Sequence, residues 1–373
     1  MRRGLLARFK VVIIDRPAWY VPIIEQEVLA EVDAETIVGW ARLGESTELD
    51  PVLASLGLPA AELSRTSVSY ITSAKHTEDI LAKMAEDADA ILVSTANVTA
   101  RVMDRLPRLR VIGRPGIGYD VVDVESATAR GIAVFNAPGF CVAEVADHTL
   151  MFALALARKL PLLHNTMRRG VWERGLGSPM PAASEMTLGL VAFGEIARAV
   201  AVRAKPFGFR LIAYDPFVDQ KDAEPCEVTM LTLDEVLAQS DIVSIHAPLS
   251  KHTYHLIGER ELAMMKPTAY LINTARGPVI DYQALITALQ CGRLAGAGLD
   301  VFEREPPGAD SPLLQMDNVL LTPHIAGASD RAQVAVKQRT CRNIAKALVG
   351  EWASTRDLIN PSVVNNPRLT AQD

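Results

Sequence analysis

Short apolar runs alternate with helix-length segments along most of this 373-residue chain, repeating about every 25 to 30 residues. That rhythm constrains the fold more than any single motif. A strand that returns to its sheet only after a helix must lie parallel to its predecessor, and the helices must cover both faces. The runs fall at residues 10–15, 90–93, 111–113, 132–135, 188–192, 211–214, 242–246, 269–273, 296–299 and 319–321. Helices are expected at 21–30, 77–87, 99–106, 142–159, 233–240, 258–265, 282–290 and 330–350. Thr232 with Glu235, and Asp281, supply the caps for two of them. The fold class is therefore α/β with parallel sheets, and the length is sufficient for two domains. Residues 42–70 carry no clean period and read as an insertion of unknown role.

Composition narrows the function classes. The net charge of −6 gives no basic field to draw nucleic acid. No apolar run reaches the roughly 18 residues that a membrane helix needs. Cys141, Cys226, Cys291 and Cys341 stand singly, which is neither a zinc spacing nor a disulfide framework. A soluble protein of a reducing cytoplasm, without a metal, is the expectation.

One unit has the order of a dinucleotide-binding element. Residues 187–215 run strand, tight turn, helix, strand and acid. Asp215 lies 21 residues after Gly194, near the roughly 20 expected for a carboxylate that holds a ribose hydroxyl. The glycine pattern is incomplete: Ala192 and Ala197 stand where two of three glycines are expected, and only Gly194 remains. A plain βαβ unit without ligand would show the same apolar pattern. Asp147 and His148, on the otherwise apolar helix 142–159, read as a partly buried polar pair that orders the helix.

Ligands in parallel α/β folds sit at the carboxyl ends of strands. There the chain places Arg276, then Asp300 and Glu305, then His324. Singly each admits a plain role: Arg276 in a surface ion pair, Glu305 as a solvated loop acid, His324 as a satisfied loop histidine. Together they suit carbonyl reduction of a small anionic substrate. A guanidinium holds a carboxylate through paired hydrogen bonds and polarises the adjacent keto oxygen. An imidazolium gives that oxygen its proton, and a carboxylate on the other ring nitrogen fixes the ring.

The segments GRPGIGYDVVDVESATARGIAVFNAPGF, EVADHTLMFALALAR, GLVAFGEIARAVA, AYDP, SIHAPLSKHTYHLI, INTARGPVID, AGAGLDVFEREP and TPHIAG occur in this order. In them the chain resembles the D-isomer-specific 2-hydroxyacid dehydrogenases over roughly residues 75–350, nearest the branch containing the C-terminal binding proteins. The spacings agree: 29 residues separate Arg276 from Glu305, and 19 separate Glu305 from His324. The resemblance implies two Rossmann-like domains with the active site between them. It divides the chain into a substrate-binding part (1–133), an NAD-binding domain (134–322) and a return to the first domain (323–373). It makes Arg276, Glu305 and His324 catalytic and Asp300 a partner of the nicotinamide carboxamide. Gly194, Glu195 and Ile196 would face the pyrophosphate and Asp215 the ribose. His246, Pro248, Thr253, Thr274, Ala275 and Gly327 would line the cofactor groove. Backbone N–H groups of Ile117 and Gly118 would meet the substrate carboxylate. A homodimer through helix 142–159 and the arm near Trp172 is also implied.

The expected activity is NAD(H)-dependent reduction of a 2-ketoacid, of glyoxylate or hydroxypyruvate type or larger. Asp215, with no arginine at 216–218, favours NAD over NADP. Glu195 stands where the family has arginine, and its charge competes with pyrophosphate for the helix N-terminus. Phosphoglycerate dehydrogenase is an alternative, although Val93 occupies the position of that enzyme's arginine. Another alternative is an NAD(H)-sensing interaction protein of the C-terminal binding protein type; here Ile325 follows His324, without that branch's nearby tryptophan.

Overall fold

The computed structural model describes residues 9–14, 22–38, 74–351 and 356–365. The insertion expected at 42–70 lies outside the described residues. The chain forms two compact units, Met1–Phe140 with Asp330–Asp373, and Cys141–Ser329.

In the first unit five strands make a parallel sheet in the order β2-β1-β3-β4-β5. They are β1 (Phe9–Ile13), β2 (Ala34–Val38), β3 (Ala90–Leu92), β4 (Val111–Gly113) and β5 (Ala133–Phe135). Helices α1 (Ile23–Leu29), α2 (Ala74–Met84), α3 (Ala100–Asp104) and α4 (Val124–Ala129) connect them, and the final helix, Asp330–Leu348, returns to the same sheet. Successive strand residues serve opposite faces. Val12, Ile91, Ile112 and Val134 pack with Leu81, Met84 and Met103. Val11, Ile13, Val111 and Phe135 pack on the other side with Leu29, Ile344 and Leu348. Asp357 clamps the last described segment to the final helix: it accepts from Arg339 Nε at 2.7 Å, Arg339 Nη2 at 2.6 Å and Asn343 Nδ2 at 2.9 Å.

The second unit is a seven-stranded parallel sheet in the order β12-β11-β10-β9-β6-β7-β8. Its strands are β6 (Thr187–Val191), β7 (Arg210–Tyr214), β8 (Thr229–Met230), β9 (Ile242–Ile245), β10 (Tyr270–Asn273), β11 (Gly296–Leu299) and β12 (Val319–Leu321). Its helices are α5 (Val142–Ala157), α6 (Leu160–Arg168), α7 (Glu195–Ala204), α8 (Gln220–Ala223), α9 (Leu233–Gln239), α10 (Glu259–Met264) and α11 (Tyr282–Gln290). The order reverses between β6 and β9, which opens a crevice at their carboxyl ends. Strand β6 is buried along its whole length. Its Gly189 is required by a close approach: a side-chain carbon there would fall 2.1 Å from Ser240 Oγ and 2.8 Å from Val236 Cγ1. The fully buried rings of Phe152 and Phe193 each contribute roughly 2–3 kcal/mol to the core on the α5–α7 side.

Both expected caps form: Asp281 Oδ1 accepts from Ala284 N, and Thr232 with Glu235 makes a reciprocal box. Five elements were not legible: the edge strand β2, helices α4, α6 and α8, and the two-residue β8. The helix expected to reach residue 159 ends at Ala157, because Lys159 turns left-handed (φ 51°) and Pro161 opens a new helix, α6. Asp147 and His148 do not act as a pair. Asp147 is exposed and bonds Arg203 Nε at 2.6 Å, whereas His148 bonds Thr322. Among the described residues no helix is long and apolar enough to cross a membrane.

Candidate active site

Several of the residues expected to face a cofactor gather where β6 meets β7 and β9. Ala192, at the position of the first missing glycine, takes the left-handed conformation that a glycine would take (φ 69°). For an L-residue this costs about 1–2 kcal/mol. The turn is held on both sides. Ala192 N–H donates to Tyr214 O at 2.8 Å, and Phe193 N–H donates to Asp215 Oδ2 at 2.9 Å. Asp215 Oδ1 accepts from Phe217 N–H at 2.9 Å. Asp215 therefore braces the β6–α7 turn as well as its own loop, and the spare lone pairs of its oxygens remain for a ribose. Gly194 is exposed, and a side-chain carbon built on it meets nothing within 4 Å, so the start of α7 has room for a phosphate group above it. Ala197 is fully buried; Glu195 is exposed and Ile196 half-buried in the first turn of α7.

At the end of β9, His246 Nε2 lies 3.0 Å from Ser244 Oγ, and burial pushes the imidazole down to about 4, so the ring is neutral at pH 7. Pro248 is exposed, and its carbonyl accepts from the Thr253 hydroxyl at 2.5 Å. Beyond β10, Thr274 Oγ1 is 2.9 Å from Thr149 Oγ1 of α5. Asn273 ties the following turn, accepting from Ala275 N–H at 3.0 Å and donating to Arg276 O at 2.9 Å. The Arg276 Nη1 donates to Ala275 O at 2.8 Å. Gly277 comes next, and here again only glycine fits: a side-chain carbon would sit 1.9 Å from the Phe302 carbonyl. This close approach draws the strand end bearing Arg276 against the loop bearing Glu305.

His324 Nδ1 lies 2.6 Å from Glu305 Oε2, and Glu305 Oε1 accepts from Phe302 N–H at 3.0 Å. Burial pushes the Glu305 carboxyl up, but the hydrogen bond and charge of His324, the Phe302 amide and the Arg276 charge together outweigh it and hold the carboxyl below its ordinary range. An ionised Glu305 requires the hydrogen on His324 Nδ1, which leaves Nε2 as the ring nitrogen able to exchange a proton. The His324 side chain is 45% exposed. Its backbone is left-handed (φ 53°), another conformation that L-residues avoid.

Asp300 is 1% exposed and underlies this loop. Its carboxylate accepts from the Thr322 hydroxyl at 2.5 Å, Ile325 N–H at 2.9 Å and Ala326 N–H at 2.8 Å. Gly327 packs on α5, where a side-chain carbon would lie 3.0 Å from Cys141 Sγ. The structure thus gathers Arg276, Glu305, His324 and Asp300 at neighbouring strand ends, and Asp215 and Gly194 farther along the same edge. Thr322 and His148 were missed by sequence reasoning. The signal for Thr322 was its place directly after β12; His148 carried none, since its partner lies 174 residues away.

In the first unit, the loop after β4 carries Ile117 and Gly118. The Ile117 carbonyl accepts from Asn136 Nδ2 at 2.7 Å. In a trans peptide the N–H opposes the C=O, so Gly118 N–H points away from Asn136.

The sequence profile of the D-isomer specific 2-hydroxyacid dehydrogenase NAD binding domain matches residues 150–326. The glyoxylate reductase of Korarchaeum cryptofilum is 38% identical over 292 residues, which cover 77% of this chain and 87% of that one. The chain belongs to the D-isomer specific 2-hydroxyacid dehydrogenase family. It is thereby placed among NAD-dependent oxidoreductases that act on a CH–OH group, and its cofactor is a nicotinamide nucleotide. Other members of this dehydrogenase family are similar as well. The D-3-phosphoglycerate dehydrogenase of Methanocaldococcus jannaschii is 40% identical over 294 residues, 78% of this chain, but the match spans only 54% of that longer relative. Among solved structures, the D-lactate dehydrogenase of Aquifex aeolicus, complexed with NAD and lactic acid, is 27% identical with a TM-score of 0.76. That likeness covers 94% of this chain and 99% of the other.

Proposed function

We propose that the protein is an NAD(H)-dependent D-2-hydroxyacid dehydrogenase that works as a 2-ketoacid reductase. The observation that carries this reading is the His324–Glu305 dyad, at 2.6 Å, with the Glu305 loop pressed against the strand end of Arg276. Arg276 binds the substrate carboxylate and polarises the keto oxygen. His324 Nε2 gives that oxygen its proton, and Glu305 stabilises the imidazolium and fixes its tautomer. The nicotinamide supplies the hydride. Gly194 leaves room for the pyrophosphate, Asp215 takes the ribose, and neutral His246 with Pro248, Thr253, Thr274, Ala275 and Gly327 lines the groove. Asp215 favours NAD, since a 2′-phosphate would meet its charge. In this reading Cys141–Ser329 is the cofactor unit, and the backbone N–H groups of Ile117 and Gly118 bind the substrate carboxylate.

The reading includes a cytoplasmic homodimer. It is supported by four cysteines that form no disulfide and by apolar side chains exposed on α5, α6 and the arm beyond: Met151 at 46%, Met167 at 50% and Trp172 at 78%. Phosphoglycerate dehydrogenase is the second reading, favoured by the Methanocaldococcus relative. A panel of glyoxylate, hydroxypyruvate, 3-phosphohydroxypyruvate and a branched 2-ketoacid, each with NADH and NADPH, tests both. Turnover of unphosphorylated ketoacids with NADH supports the first; turnover confined to the phosphorylated one supports the second. Tight NADH binding with no turnover at all would favour a sensor and overturn both.

A further inference from the structure

His324 adopts a backbone conformation that persists only where its surroundings over-determine it (φ 53°). Asp300 provides that constraint. Its carbonyl accepts the His324 N–H at 2.8 Å. Its carboxylate takes the next two N–H groups, Ile325 on Oδ1 and Ala326 on Oδ2. One acid therefore grips the chain at the histidine and just beyond it. On the near side the grip passes through Thr322, whose hydroxyl donates to Asp300 Oδ1 at 2.5 Å.

A threonine hydroxyl has one hydrogen. With that hydrogen given to Asp300, the Thr322 oxygen can only accept from His148 Nε2, which lies 2.9 Å away. His148 must therefore hold a hydrogen on Nε2. The side chain of His148 is 14% exposed, stands edge-on to Phe152 with ring centroids 4.7 Å apart, and lies 3.9 Å from Asp300 Oδ1. Burial holds its pKa down, against the opposing pull of Asp300. A neutral Nε2–H tautomer satisfies the chain: imidazole N–H to hydroxyl, hydroxyl to carboxylate, carboxylate to the loop that carries His324. Helix α5, which bears His148, is among the best-anchored elements of its unit, packed on α7, β10 and β11.

We propose that Thr322 and His148 are positioning residues for the acid/base histidine. They fix the Asp300 carboxylate, and through it the backbone that aims His324. The inference rests on the acid/base reading of His324.

The test compares the purified full-length chain with Thr322→Val, Thr322→Ser, His148→Phe and His148→Gln, reducing whichever 2-ketoacid the panel identifies. Thr322→Val keeps the shape and removes the hydroxyl; its kcat is expected to fall about tenfold, the effect of one charge-assisted hydrogen bond. NADH binding, read by fluorescence titration, is expected to stay within about twofold, because Asp300 keeps its bonds to Ile325 and Ala326 and the proposed pyrophosphate and ribose contacts at Gly194 and Asp215 are untouched. Thr322→Ser restores the hydroxyl and is expected to recover most of the kcat. His148→Phe should lower kcat in the same way, and His148→Gln, which keeps an N–H donor, should lower it less. Thermal unfolding reports on folding; if Thr322→Val or His148→Phe unfolds, the Ser and Gln variants carry the comparison. Wild-type kcat in folded Thr322→Val and His148→Phe overturns the inference. So does a loss of NADH binding that matches the loss of kcat, or a serine variant no better than valine. If the wild type is active and His324→Ala is inactive, those outcomes sink the positioning role alone. If His324→Ala keeps full activity, the reading beneath it fails too.

Discussion

Replacing Glu305 by glutamine isolates the electrostatics of the proposed dyad. The carboxylate accepts two hydrogen bonds, one on each oxygen, from His324 and from Phe302 N–H. An amide has a single acceptor oxygen. If it faces His324, the charge is lost and Phe302 N–H loses its partner. If it faces Phe302, an NH2 group confronts Nδ1 and disfavours the imidazolium further. Either arrangement weakens the protonated ring. Hydrogen bonds to a charged group contribute roughly 1.5–3 kcal/mol, against about 0.5–1.5 kcal/mol for neutral ones. The difference shrinks to about 1 kcal/mol, because the His324 side chain is 45% exposed and water screens the pair. Reduction needs the proton on His324, so Glu305→Gln should reduce ketoacid about fivefold more slowly at neutral pH, the equivalent of about 1 kcal/mol. The assay is kcat/KM for ketoacid reduction with NADH at one fixed pH, wild type against variant. A rate equal to or above that of the wild type refutes the reasoning.

Glu195→Gln removes a carboxylate from the first turn of α7 and should tighten NADH about two- to fivefold by calorimetry; an unchanged affinity would show that this charge does not oppose the pyrophosphate. Asp215→Asn should narrow the preference for NADH over NADPH. It also frees one of two braced backbone N–H groups, lowering Tm by about 2–4 °C; an unmoved ratio of kcat/KM values contradicts the assignment. Asp357 is 5% exposed; burial pushes its carboxyl up, but Arg339 and Asn343 bonds outweigh that and hold it below its ordinary value. Its stabilisation is thus present above the ordinary carboxylate range and is lost as pH falls through the lowered folded value. Asp357→Asn should cost about 2–3 kcal/mol at pH 7 and flatten part of the acid decline in thermal stability; an equal Tm at pH 7 would contradict it.

The alternation of apolar runs and helices was enough to read both parallel sheets, because the buried central strands are largely apolar, with single polar residues such as Ser244 and Asn273. What escaped was weakly patterned. Strand β2 reads AETIV at a sheet edge, with polar residues that no buried strand would carry, and β8 has two residues. At the site, Arg276, Glu305 and His324 were legible because each lies within about six residues of the carboxyl end of a strand. Their approach to each other was not, for it depends on Gly277 lying against the Phe302 backbone. Ala192 read as a departure from a glycine pattern; the structure shows the glycine's conformation kept without the glycine. His148 was misread as the partner of its neighbour Asp147. Adjacent helical residues point in different directions, and the partner of His148 lies on another strand's end.

The most direct test of the proposed chemistry is His324→Ala, with turnover and NADH binding measured on the same preparation. Loss of an acid/base group lowers the rate about 10²- to 10⁴-fold. Ketoacid reduction should fall by that order while NADH affinity stays within about twofold, since Gly194 and Asp215, proposed for the pyrophosphate and the ribose, lie on other strand ends. Turnover within about tenfold of wild type would contradict the assignment of His324 as the proton donor.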